Sequence, residues 1–278
     1  MTLVSLASVL RPCLTDGSAV AGLVVLGWED AVAFVRAAEA ANRPIILQAG
    51  PGCRKHTPLP VMGAMFRTLA VGASVPVVAH LDHGENLAVC QQAVDCGFTS
   101  VMYDGSSLPL AENIERTAEI VAWAHKHGVS VEAELGYVGY QGRAQSLGTD
   151  PTEVDRFVRE TQVDALAISV GNTHLMTNPT ESVDIDLLHA IQAAIPDMPL
   201  VLHGGSGITP DLRQSLARQT TVCKFNIGTE LRMAFGAALR ETLLCDSAKF
   251  DRNMILAATI DPMIAATTRV IKNLAPSI

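Results

Sequence analysis

The sequence has no basic cluster. Lys and Arg number 20 against 28 Asp and Glu, a formal net charge of −8, and the basic residues are scattered, so no patch offers itself to a nucleic-acid backbone or an anionic membrane surface. A small anionic substrate stays allowed, because a local site can be positive inside an acidic protein. A C-x-x-C pair is also missing: Cys13, Cys53, Cys90, Cys96, Cys223 and Cys245 stand apart, mostly among apolar neighbours. They read as reduced, mostly buried thiols and predict a cytoplasmic protein. Residues 1–10 carry no basic start, and the most apolar early stretch, 19–28, is cut by Glu29 and Asp30. Neither a signal peptide nor a membrane span is expected. Pro/Ser-rich linkers, low-complexity tracts and repeats are absent as well. With 49% hydrophobic and 17% charged residues, the chain is globular and reads as one domain, residues 1–278.

What is present is an alternation. Short runs rich in Val, Ile and Leu recur at 21–26, 44–48, 76–81, 99–103, 129–134, 165–170, 200–202 and 222–226. Between them lie segments with helical spacing, such as 29–41, 85–96, 110–127, 152–161, 186–194 and 210–219, each long enough for a crossover helix. Continuous apolar strands covered by helices predict a parallel sheet. Eight such units in about 250 residues predict closure, a single (β/α)8 TIM barrel rather than an open doubly wound sheet.

In such a barrel, chemistry belongs where the strands end. His83, His174 and His203 stand at three strand ends, and three neutral imidazoles leaving one position open is the ligand count of a catalytic zinc site. A lone His at a strand end is more often a satisfied polar residue, but three on one rim with carboxylates between them point to a metal. Asp82 directly precedes His83, so strand alternation sends their side chains apart unless the chain turns there, and Gly84 is expected to permit that turn. Asp82 either exchanges a proton with a substrate oxygen or orients His83. Asp104 and Glu134 are either alternative ligands or anchors for the ligands. Gly204-Gly205-Ser206-Gly207, ahead of Thr209-Pro210, is an anion cradle beside a helix start, and Asn226-Ile227-Gly228-Thr229 after the last strand offers a second. Lys224 is a Schiff-base rival to the metal route. Arg54, Lys55 and Arg143 are long basic side chains on loops that either meet a substrate anion or are merely solvated.

At these residues the chain resembles the class II, metal-dependent ketose-bisphosphate aldolases, most of all their tagatose-bisphosphate branch. The likeness is carried by residues 80–84 (HLDHG), 100–106 (SVMYDGS), 131–136 (VEAELG), 200–207 (LVLHGGSG) and 226–230 (NIGTE), and less specifically by 50–56. It implies one zinc per subunit on His83, His174 and His203, with a monovalent cation as a further candidate, and Asp82 as the acid/base residue. It places Asp104 and Glu134 near an alternative metal position. Substrate oxygens would be held by Gly204, Gly205, Ser206, Asn226, Ile227, Gly228 and Thr229. The expected partner is a small sugar or sugar phosphate, in a homodimer or homotetramer.

Four departures stand against the family pattern. Leu175, Met176 and Thr177 follow His174, where the family has Gly and, shortly after, Lys. The loop after the fifth strand reads Gly139-Tyr140-Gln141-Gly142-Arg143 and lacks the usual catalytic acid. Leu23 and Val24 replace Phe-Asn near the end of the first strand, and Gly228 replaces the aspartate of the fructose-type enzymes. The expected function is reversible aldol cleavage of a ketose phosphate or related sugar into a dihydroxyacetone-type fragment and an aldehyde. The alternatives are an epimerase or isomerase on the same scaffold, or a silent barrel that binds metal and sugar.

Overall fold

The structure is a computed structural model describing residues 2–142, 145–180 and 183–276. Eight parallel strands, β1 (Val20–Val24), β2 (Ile45–Ala49), β3 (Val77–Gly84), β4 (Ser100–Tyr103), β5 (Ser130–Leu135), β6 (Ala165–Ile168), β7 (Leu200–Leu202) and β8 (Val222–Ile227), close into a barrel in sequence order. β8 pairs with β1 to complete it. The expected (β/α)8 TIM barrel is observed.

Two packing layers account for the apolar strand composition. Side chains facing outward, such as Leu23, Leu47, Val101 and Leu202, merge with the surrounding helices into one core. A second cluster, Val20, Ile46, Val78, Met102, Val201 and Cys223, fills the barrel floor and is sealed by Leu6, Val9 and Leu10 of the short helix Leu6–Leu10. Above that floor the interior turns polar.

Several helices begin at a capping side chain. Asp30 accepts from the backbone N–H of Gly27 at 3.0 Å and of Leu26 at 2.9 Å, starting Trp28–Ala41, and Thr209 caps Pro210–Gln219. The sequence reading passed over Leu59–Gly72, which has apolar residues on most of its surface and so little helical period, and the helices after β8: Thr229–Cys245, Arg252–Ala257 and Ile260–Asn273. Residues Arg252–Asn273 are long and apolar enough to cross a membrane by length and composition. In the fold, Ile260–Asn273 packs along Trp28–Ala41 and buries Met263, Ala266, Val270 and Ile271.

Gly63, within Leu59–Gly72, sets how closely that helix approaches its neighbour: a Cβ there would lie 2.2 Å from the Cys96 carbonyl oxygen. A backbone carbonyl cannot swing aside as a side chain would. Gly63→Ala is therefore expected to destabilise the protein by about 1–3 kcal/mol despite alanine's better helix propensity. Thermal melting checks this, and an unchanged or raised midpoint would show that the helices can part.

Candidate metal centre and active site

β3 carries the first unusual geometry. Its register against β4 shifts between Leu81 and Gly84, and His83 has a φ of 49°. The turn that brings consecutive Asp82 and His83 to the same rim is thus made by His83 itself and not, as the sequence suggested, by Gly84. Gly84 is needed for space, because a Cβ there would meet the Met102 carbonyl oxygen at 2.7 Å. A left-handed conformation costs a non-glycine residue about 1–2 kcal/mol, and Arg54 secures it. Its guanidinium donates to the carbonyls of Ala49 (3.1 Å), Asp82 (2.6 Å) and His83 (3.1 Å) and to Glu85 Oε1 (2.8 Å). Arg54 is consequently committed to the protein's own backbone. Arg143 lies outside the described residues.

The rings of His83, His174 and His203 converge, with centroids 4.7–5.5 Å apart. Among the described residues, His83 Nε2, His174 Nε2 and His203 Nδ1 are buried without a hydrogen-bond partner, as is Glu134 Oε2. Each such atom costs about 1–3 kcal/mol if nothing fills the gap. Ligand-capable atoms of the three histidines lie within 4.8 Å of one another, and so do those of His83, Asp104 and Glu134. Nitrogen and carboxylate donors left empty around one point fit a divalent cation.

The second nitrogen of two rings is gripped. Asp104 Oδ2 lies 2.7 Å from His83 Nδ1, while its Oδ1 accepts from the Ser106 amide and hydroxyl. Glu132 Oε1 lies 3.1 Å from His203 Nε2; accepting that proton leaves the lone pair of His203 on Nδ1. Glu132 Oε2 takes Lys224 Nζ at 2.6 Å, and Lys224 Nζ lies 3.3 Å from His80 Nε2, whose Nδ1 reaches Ser100 Oγ at 2.8 Å. His80, Glu132, His203 and Lys224 are all fully buried. Lys224 is therefore held in an ion pair with Glu132 beneath the site and is fully buried, out of reach of a substrate in the cavity above. Gly22 makes room for it: a Cβ there would lie 2.9 Å from Lys224 Cε and 2.4 Å from Gln48 Oε1.

The electrostatics suit a cation. Burial opposes charge on His83, but the carboxylates of Asp82, Asp104 and Glu134 outweigh it and push the imidazole up to about 10. Burial, then the Asp104 charge, raises Glu134 to about 8. Asp104 is held below the carboxylate range, because bonds from His83 and Ser106 overcome its burial. Burial and the neighbouring imidazoles keep His174 and His203 well below the usual histidine value.

Asp82 is fixed by two amides: Oδ1 accepts from Gln48 Nε2 at 3.0 Å and Asn226 Nδ2 at 3.1 Å. It lines a small cavity with His174, Gly204, Ser206, Asn226, Gly228 and Thr229, walled by Val24, Leu175 and Arg232. Gly204 has a φ of 64°, and a Cβ there would lie 2.2 Å from the Thr173 carbonyl oxygen, so only glycine serves. Ser206 Oγ accepts from the amides of Gly228 (3.3 Å) and Glu230 (3.2 Å), clasping the two glycine loops together. Arg213 braces the clasp through Glu230 at 3.0 and 3.3 Å. Gly205 and Ile227 lie behind the cavity wall, with Ile227 fully buried and its Cδ1 near Gly205, so only their backbones can serve a ligand. Arg232 was missed by the sequence reading; its signal is its place one helical turn after Thr229, on the same face. A shallow hollow of about 770 Å³ opens at the other end of the barrel, beside Arg11, His125 and Asp164, and holds none of these groups.

The family described as fructose-bisphosphate aldolase class-II matches residues 4–277. This chain belongs to the class-II fructose-bisphosphate aldolases. The 6-phospho-5-dehydro-2-deoxy-D-gluconate aldolase of Shouchella clausii is 37% identical over 98% of this chain and 94% of that protein. The fructose-bisphosphate aldolase of Geobacillus stearothermophilus is 35% identical over 95% and 94%. Among solved structures, the YdjI aldolase from Escherichia coli K12 has a TM-score of 0.87 at 28% identity, covering 99% of this chain and 98% of that one.

In this class-II aldolase the departures acquire shape. Leu175 holds a φ of 61°, the conformation glycine adopts freely, and its half-exposed side chain borders the cavity. Met176 lies across Gly207: a Cβ on that glycine would meet Met176 Cβ and Sδ at 2.9 Å.

Lys224→Met is expected to lower the stability of the aldolase by about 3–5 kcal/mol, since it strands Glu132 as a buried uncompensated charge. Adding Glu132→Gln should restore much of that loss. Denaturant unfolding of the four proteins in the cycle measures it, and equal stability of wild type and Lys224→Met would show that Glu132 carries no charge in the folded state.

Proposed function

We propose that the chain, acting as one domain over residues 1–278, is a zinc-dependent reversible aldolase for a phosphorylated ketose. In this reading His83 Nε2, His174 Nε2 and His203 Nδ1 hold one ion per subunit, and Asp82 moves the proton. The supporting observation is the set of three buried, partnerless nitrogens converging beside a carboxylate. Asp104 is engaged by His83 and Ser106 and keeps the His83 ring in place, whereas Glu134 Oε2 is available to join the ion.

When bound, the ion supplies positive charge where negative charge develops on the ketone oxygen as the carbon–carbon bond breaks. Asp82 takes the proton from the hydroxyl on the carbon that becomes the aldehyde and returns it in the condensation direction. The amides of Gln48 and Asn226 hold one of its oxygens and leave the other for this exchange. The amides of the Gly204–Ser206 loop and of Thr229, at the start of helix Thr229–Cys245, receive an anionic group, the Gly228 amide being given to Ser206 Oγ. Arg232 forms no ion pair among the described residues and supplies a full positive charge beside Gly228, whose Cβ position is 3.6 Å from its guanidinium. The relatives are named for fructose bisphosphate and for 6-phospho-5-dehydro-2-deoxy-D-gluconate, both phosphorylated and ketone-bearing, which supports a phosphorylated ketose here.

Six free cysteines fit the proposed cytoplasmic location. The exposed Leu244, Phe250 and Met254 offer apolar surface for the proposed homodimer or homotetramer.

The test is a panel of phosphorylated and unphosphorylated ketoses given to the zinc-loaded protein, with aldehyde release as readout. Aldehyde is expected from a phosphorylated member, and Asp82→Asn should cut kcat by about 10²–10⁴. A change of sugar configuration without aldehyde would instead indicate an epimerase, and binding without turnover a silent barrel. Gly228→Asp places a carboxylate against Arg232 and is expected to raise KM for the phosphorylated substrate about tenfold or more with a smaller change in kcat. An unchanged KM would remove Arg232 from the anion site.

A further inference from the structure

Two of the three imidazoles are oriented by carboxylates, Asp104 for His83 and Glu132 for His203. His174 has no such partner: among the described residues neither of its ring nitrogens makes a hydrogen bond, and it is the least buried of the three. An imidazole on a loop with nothing on its second nitrogen is free to rotate, and a freely rotating ligand loses entropy on coordination.

Tyr140 supplies the missing restraint in another form. Its ring lies nearly parallel on the His174 ring, with centroids 4.7 Å apart and planes 22° from each other. The pair is stitched by backbone on both sides of Tyr140, since His174 N–H donates to the Gly139 carbonyl at 2.8 Å and Gln141 N–H donates to the His174 carbonyl at 3.0 Å. The root of the loop is closed by reciprocal Tyr137–Leu147 bonds of 2.8 Å. Ser146 Oγ ties it further, accepting from the Gly139 amide at 3.0 Å and donating to the Asn172 carbonyl at 3.1 Å. Residues 137–141 and 146–147 of the segment after β5 are thereby tied to one another and to residues 172–174 after β6. Its purpose is legible in what it delivers: a flat, electron-rich face laid on one ring, leaving His174 Nε2 directed toward His83 and His203.

We infer that Tyr140 is a positioning residue for the metal centre, holding His174 by stacking as Asp104 and Glu132 hold the other two histidines by hydrogen bonds. An imidazole that donates its lone pair to a cation becomes electron-poor, and its contact with a phenol face strengthens accordingly. The altered loop that carries no acid thus has a task of its own, acting on a ligand. The inference rests on the metal reading above.

The experiment compares wild type with Tyr140→Phe and Tyr140→Leu. Zinc affinity is measured by competition with a chromophoric chelator, and the visible spectrum of the cobalt(II)-substituted protein reports ligand geometry. Tyr140→Phe is expected to match wild type in both, because the ring face is kept. Tyr140→Leu is expected to bind zinc about 3- to 10-fold more weakly, with altered cobalt bands, while its metal-free melting temperature stays near that of wild type. If Tyr140→Leu does not fold, Tyr140→Gln is read in the same way. Wild-type affinity and bands in the non-aromatic variant would overturn the inference while leaving the metal reading intact. Loss of turnover in Tyr140→Phe with zinc affinity unchanged would also overturn it, by assigning the function to the hydroxyl. A wild-type protein that binds neither ion would instead overturn the metal reading, and the inference with it.

Discussion

The barrel must keep three imidazole nitrogens without partners in its interior, all turned toward one point. Leaving buried polar atoms unsatisfied is costly, and much of the surrounding chemistry exists to hold them in that condition. Asp104 and Glu132 take the opposite nitrogens of His83 and His203, which decides where each lone pair sits. Glu132 is itself fully buried and is paired with Lys224, which contacts His80 in turn. The polar interior is therefore a sequence of obligations running down from the three histidines to the apolar floor sealed by Leu6 and Leu10.

The same constraint explains the local backbone. Asp82 and His83 are neighbours in sequence yet must both serve the rim, so β3 slips register and His83 adopts the left-handed region. Arg54 stabilises that departure by filling its carbonyls. On the facing side, Ser206 joins the two glycine loops, and the Arg213–Glu230 pair braces them from behind. The cavity between carries one cationic side chain, Arg232, and two apolar ones, Val24 and Leu175. The polar groups around Asp82 are thus rigidly held, and the cavity walls beside them are where this chain differs from the family pattern.

Much of the fold was readable because its signals are local. The helix Pro210–Gln219 and strand Leu200–Leu202 coincide with the sequence pattern, since a Thr-Pro cap and a short run of aliphatic residues need no distant partner to be recognised. Helix Leu59–Gly72 was not readable, because apolar residues such as Val61 and Val71 also stand on its exposed face and mask the period that marks a helix, although only one stripe is buried. His83 and His203 could be found by their strand-end positions and His174 by its place in the loop that follows β6, but the turn assigned to Gly84 belongs to His83, as only pairing with β4 reveals.

Periodicity, caps and residue chemistry are properties of neighbouring positions, and they determined the eight-unit barrel, the histidine rim and the two glycine loops. Which nitrogen of each histidine faces inward, what neutralises Glu132, where Arg54 is spent, how Arg232 enters the cavity and what lies on His174 were decided by the tertiary structure alone. Each depends on a distance of a few ångströms between residues brought together only when the barrel closes, and a linear pattern carries no such distance.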